Sequence, residues 1–167
     1  MTGRFTDDGR GVSTALGYVL TLGITAVLIS GLLVGGASMV RNERQTVAQD
    51  QLAIAGEQLT TGISDADRLA SAGGDGTVRI ELWLPREAGG DGYTIRIEPQ
   101  STPADQPNET RIVAESSSVD VTQFATVRTS VPVAAATIQG GPVVVSYVDT
   151  DGDGDRELLV ESSRGTP

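Results

Sequence analysis

The run from Val12 to Val40 constrains this chain more than any other part of it: 29 consecutive residues without a charge, closed on one side by Arg10-Gly11 and on the other by "RNER". As a helix it measures about 44 Å, more than the roughly 30 Å of a bilayer's hydrocarbon layer. A secretory h-region is only about 7–15 residues long, so the length disfavours a simple cleaved signal. "GGASM" at 35–39 nevertheless resembles a small-residue cleavage site. A permanent single-span anchor is the second reading. The third is a helix trimmed at the membrane face and retained in the mature protein.

Charge and composition narrow the rest. The 167 residues suffice for one soluble domain after the apolar run. There is no cysteine and no histidine, which removes disulfides, thiol nucleophiles, the usual zinc sites and every histidine-based catalytic arrangement. All twelve basic residues are arginine, against 22 acids and a net charge of −10. A nucleic-acid partner needs a basic face, so that class is excluded. Only three acids (Asp7, Asp8, Glu43) precede residue 45, and the negative excess therefore belongs to the soluble part. Together with the absence of lysine, it points to a halophilic surface that stays hydrated where salt screens repulsion.

Residues 1–11, "MTGRFTDDGRG", read as an unstructured leader, and 12–40 as the membrane or assembly helix. No proline or strong turn follows Val40, so the helix is expected to continue through 41–72. There Leu52, Ala55, Leu59, Ile63, Ala66 and either Leu69 or Ala70 recur every three or four residues, an apolar stripe for a partner layer. Gly56 and Gly62 weaken this part without ending it, at about 1 kcal/mol each relative to alanine. "GGDG" at 73–76 stops it.

From Thr77 the period becomes two. "TVRIELWLP" sets Val78, Ile80, Leu82 and Leu84 against Arg79, Glu81 and Trp83, and "YTIRIEP" alternates likewise, with "REAGGDG" expected as the hairpin loop between them. Weaker strands are expected at 111–115, 119–124 and 127–133. "PVVVSYVD" and "RELLVES" form a hairpin across "TDGDGD". The plan is α+β: a long helix, then about six strands in an acidic sheet domain at 77–162, and a tail at 163–167.

The string "RGVSTALGYVLTLGITAVLISG" resembles the start of archaeal type IV pilins and pilin-like proteins. More closely, it looks like haloarchaeal pilin-like proteins that begin "RGVST-LGYVLTLGIT". The resemblance is firmest over 10–35. It implies a type IV pilin-like fold, a leader cut between Gly11 and Val12 by a prepilin peptidase, and a processing site comprising Arg10, Gly11 and Val12. It further implies a membrane-inserted precursor whose C-terminal domain lies outside the cell and whose N-terminal helix packs with those of other pilin-like subunits in a filament. Thr14 stands where the family's adhesive pilins have proline, which favours a minor or accessory subunit. An anchored binding or sensory domain that never polymerises is the alternative.

Gly31 and Gly35 form "GLLVG", a spacing that lets helices approach closely. Thr14, Thr21 and Thr25 can place their hydroxyls on carbonyls one turn back. "DTDGDGDRELLVE" matches the first half of a calcium loop through Asp149, Asp151, Asp153 and Asp155, but Val160 occupies the position of the bidentate glutamate. A solvated hairpin turn is the plainer reading, and no cofactor is expected beyond that weak calcium candidate. Asn108-Glu109-Thr110 is an N-glycosylation sequon expected in an exposed, proline-flanked loop. For catalysis only carboxylates remain. Asp65, Asp67 and Asp120 lack a pocket signature and read as solvated helix and turn positions, so no enzymatic activity is expected.

Overall fold

The computed structural model describes residues 8–73, 76–103, 106–149 and 154–163, with side chains in the first helix from Ala15 onward. The helix α1 spans Asp8–Gly73. Seven strands follow: β1 Val78–Trp83, β2 Tyr93–Gln100, β3 Asn108–Ser116, β4 Thr122–Thr129, β5 Ala136–Gln139, β6 Pro142–Val148 and β7 Glu157–Ser162. The class is α+β, with two antiparallel sheets after the long helix. The chain divides into two compact units, Met1–Asn42 and Glu43–Pro167.

In the first unit every described side chain from Ala15 on is exposed. The hydroxyls inside this apolar segment are satisfied locally: Thr21 donates to the Gly17 carbonyl at 2.9 Å, Thr25 to Thr21 at 2.8 Å and Ser30 to Ala26 at 2.8 Å. Such back-bonding lets polar side chains sit in an apolar helix at little cost. Residues 1–7 of the expected leader and the Thr14 side chain lie outside the described residues. The helix starts at Asp8 rather than at Val12, so residues 8–11 are helical where an unstructured leader was expected. Asp8 and the uninterrupted residues after it have no proline to stop the helix extending back from the apolar run.

In the second unit the expected stripe is the core. Ala48, Leu52, Ala55, Leu59, Ile63 and Ala66 are fully buried, and Ala70 rather than Leu69 completes the series. They pack with Ile95, Ile97, Ile112, Val143, Val145, Leu158 and Val160 from both sheets. Burying one such aliphatic side chain contributes about 1.5–3 kcal/mol, so the stripe is the principal attachment of α1 to the sheets.

Sheet pairing departs from the expected hairpins. β1 and β2 do not pair; β1 lies beside β6 in a three-stranded sheet ordered β1-β6-β7, and β2 lies in a four-stranded sheet ordered β4-β3-β2-β5. The cause is the 84–92 loop. Its Ala88 is fully buried, and the Gly89 N–H donates to Gln51 Oε1 at 2.8 Å, which docks the loop on α1. Gly89 has φ +66° and leaves no room for a Cβ, which would lie 2.9 Å from the Arg44 carbonyl oxygen and 3.0 Å from the Ala48 Cβ. The chain therefore crosses to a second sheet instead of turning back. The expected strands 119–124 and 127–133 are one strand, β4, preceded by a tight turn in which Ser116 N donates to Val121 O at 3.1 Å. Residues 136–139 form the short, unexpected β5. The β6–β7 hairpin is as expected, in the register Val145↔Val160.

The two sheets join along one seam. Leu158 N donates to Pro132 O and Ala134 N to Leu158 O, both at 2.8 Å, which covers the outer edge of β7. Two of the remaining edges, β1 and β4, adjoin α1: Leu82 of β1 packs over Gly62, and Ala125 of β4 lies against Gly56. Gly62 thus has a packing role that outweighs its cost in helix propensity, whereas at Gly56 a methyl group would make only an ordinary contact.

Candidate functional site

Three regions of the chain carry candidate function: the apolar N-terminal half of α1, the sequon with the acidic turn, and the solvent face of α1 between β1 and β4. In the first, α1 is near the N-terminus and is long and apolar enough to cross a membrane, as a single-pass anchor would. Leu16, Tyr18, Leu32, Leu33 and Met39 are among its exposed large side chains. Arg10, Gly11 and Val12 lie within the first turns of this helix. A Cβ added at Gly31 or Gly35 would meet nothing within 4 Å, so both leave an open, small-residue surface of the kind on which helices approach closely.

The sequon is not in a loop. Asn108 opens β3, half-buried, and its side-chain amide donates to the Ser130 carbonyl at 3.3 Å. Thr110 is buried, and its Oγ1 has no hydrogen-bond partner among the described residues. Pairing with β4, Asn108↔Thr129 and Thr110↔Val127, draws the tripeptide into the sheet. Of the acidic turn, Asp151 and Asp153 lie outside the described residues. Asp149 Oδ2 accepts a hydrogen bond from Gly154 N at 3.1 Å, and Gly154 has φ +95°, so this carboxylate closes the β6–β7 turn. Asp155 is exposed beside it. Among the described residues no group of three metal-ligating side chains converges.

One carboxylate was misplaced by sequence reasoning. Asp67 is only 9% exposed, and its Oδ1 accepts from Ser130 N at 2.8 Å and Val131 N at 3.0 Å. It caps the end of β4 from the helix rather than sitting in solvent. No local signal distinguishes it from the exposed Asp65, because the partners are more than sixty residues away.

The outer face of the four-stranded sheet carries an ordered charge ladder. Arg111 pairs with Glu98 at 2.6 Å, Arg96 with Glu115 at 2.8 Å and Arg128 with Glu109 at 3.2 Å. The Arg111 hydrogen bond is the main reason that the Glu98 carboxyl is held below its ordinary pKa. At this exposure each pair adds little stability. Their arrangement consumes arginines that would otherwise form a basic patch.

The solvent face of α1 is different. Among the described residues of the second unit, the exposed large apolar side chains are Ile54, Leu69, Trp83 and Phe124. Trp83, 75% exposed, stands at the end of β1 beside a groove of about 590 Å³ between that strand and α1. Phe124, 65% exposed, borders a groove of about 420 Å³ between α1 and β4. Glu57 and Thr61 line both, so the two grooves meet across the helix. The alternation of β1 had placed Trp83 on its polar face but gave no sign of the groove.

The chain belongs to a family of unknown function, DUF7266, whose profile matches residues 7–159. No curated protein and no solved structure matches it.

Proposed function

We propose that this DUF7266 chain is a pilin-like, non-enzymatic subunit, minor or accessory, of an archaeal type IV pilus or pilus-like surface filament. The observation that supports this reading most is the change of environment along α1. The side chains from Ala15 to Arg44 are all exposed, while from Ala48 the same helix carries a fully buried stripe. An apolar surface of that extent requires lipid before assembly and other helices after it. The resemblance of residues 10–35 to haloarchaeal pilin-like proteins supplies the rest. The precursor sits in the membrane with its leader inside the cell, a prepilin peptidase cuts between Gly11 and Val12, and the acidic domain faces a saline medium.

Intact mass or N-terminal sequencing of the protein from its native host tests the reading, and Val12 is expected as the first residue. Gly11→Leu is expected to block the cut. A mature chain that retains Arg10 overturns it. Sedimentable filaments containing the chain separate assembly from anchoring, because an anchored domain that does not polymerise stays in the detergent-soluble membrane fraction.

A further inference from the structure

The groove between α1 and β1 has a composition that fits neither a packing face nor a site for a charged ligand. One wall is the exposed ring of Trp83 with Ile54, and its floor is Leu82 over Gly62. The other lining groups are hydrogen-bonding: Glu57, Gln58, Asp65 and Glu81, besides the Thr61 hydroxyl. Three carboxylates would suit a cation, but two of them already have arginines beside them. Arg68 lies 3.4 Å from Asp65 and Arg79 lies 3.8 Å from Glu81. The groove thus keeps only a small negative charge, and its carboxylate and amide groups are exposed.

From this we infer that the groove between α1 and β1 is a binding site for a neutral carbohydrate chain, with Trp83 as the stacking platform. A sugar ring has one face of C–H groups, which packs on the electron-rich face of an indole, and a rim of hydroxyls, which need flat side chains able to accept and donate together. The Gln58 amide can do both, and the carboxylates accept from the sugar hydroxyls. The volume of about 590 Å³ lies within the usual range of ligand sites. The groove meets the Phe124 groove through Glu57 and Thr61, so together they suit an extended chain better than a single ring. A large aromatic left in water beside convergent polar groups is what a recognition surface shows. The inference is independent of whether the chain assembles into a filament.

Trp83 is the chain's only tryptophan, so its emission reports on this groove directly. The full chain, held in a zwitterionic detergent without a sugar headgroup, is titrated with soluble oligosaccharides of β-linked glucose, β-linked N-acetylglucosamine and α-linked mannose. A saturable blue shift with at least one of them is expected. Calorimetry with that oligosaccharide is expected to show binding weakened about tenfold or more in Trp83→Ala, and largely kept in Trp83→Tyr, which retains a flat ring. Gln58→Ala, an exposed helix position, is expected to weaken binding with an unchanged melting temperature. Three results overturn the inference: no saturable shift with any of the three sugars, saturation by spermidine in their place, or a shift produced by raising protein concentration alone, which marks a protein-protein surface.

Discussion

Asp67 on α1 accepts the Ser130 N–H at 2.8 Å with the same oxygen that accepts Val131 N–H at 3.0 Å. The long helix is therefore joined to the end of β4 by a polar contact as well as by its apolar stripe. Asp67→Ala removes the acceptor for two backbone donors and is expected to cost about 2 kcal/mol, measured as a lower midpoint in urea unfolding. Asp67→Asn keeps a carbonyl oxygen in place and should lose less. Equal losses in the two variants would show that the contact contributes nothing specific.

The two helix glycines separate by what lies above them. A Cβ at Gly56 would sit 3.6 Å from the Ala125 Cβ, an ordinary contact, so Gly56→Ala is expected to stabilise the domain by up to about 1 kcal/mol through helix propensity. At Gly62 the added Cβ would lie 3.1 Å from Leu82 Cγ and closer still to its methyl groups. Overpacking there outweighs the propensity gain, and a net loss of about 1 kcal/mol is expected. Thermal melting of the two single variants, and of Gly62→Ala with Leu82→Ala, checks this. The double variant should show coupling.

Tyr93 is almost fully buried, and its hydroxyl donates to Pro85 O at 2.6 Å. A Cβ on Gly140 would fall 2.7 Å from that oxygen and closer still to the Tyr93 ring, so only glycine allows the three to meet. Burial raises the phenol pKa from its ordinary 10.0 to about 12. Because the folded value is the higher one, the stabilising effect is complete below pH 10 and is lost as pH rises toward 12. Unfolding free energy measured across that window should fall in the native chain. Tyr93→Phe should lack this titration, while losing about 1 kcal/mol at neutral pH with the hydrogen bond.

At the acidic turn the expected outcome is that millimolar calcium leaves the melting temperature unchanged, because Asp149 already closes the turn on Gly154 N. A saturable rise in melting temperature, abolished in Asp149→Asn, would instead identify a cation site.

Features that depend on local period could be read from the residues alone. The uncharged run, the stripe from Leu52 to Ala66 and the β6–β7 hairpin were legible because side-chain direction repeats every three or four residues in a helix and every two in a strand. Tertiary structure decided what depends on partners far away in sequence. Whether Leu69 or Ala70 faces the core depends on where the sheets end. Pairing of β1 with β6 follows from the docking of Ala88 and Gly89 on α1, which no hairpin signal encodes. The same applies to the sequon and to Asp67, whose surroundings are set by β4. Trp83 borders a groove because β1 is an edge strand alongside a helix, and an alternating pattern specifies only a face of the sheet, never the neighbour beyond its edge.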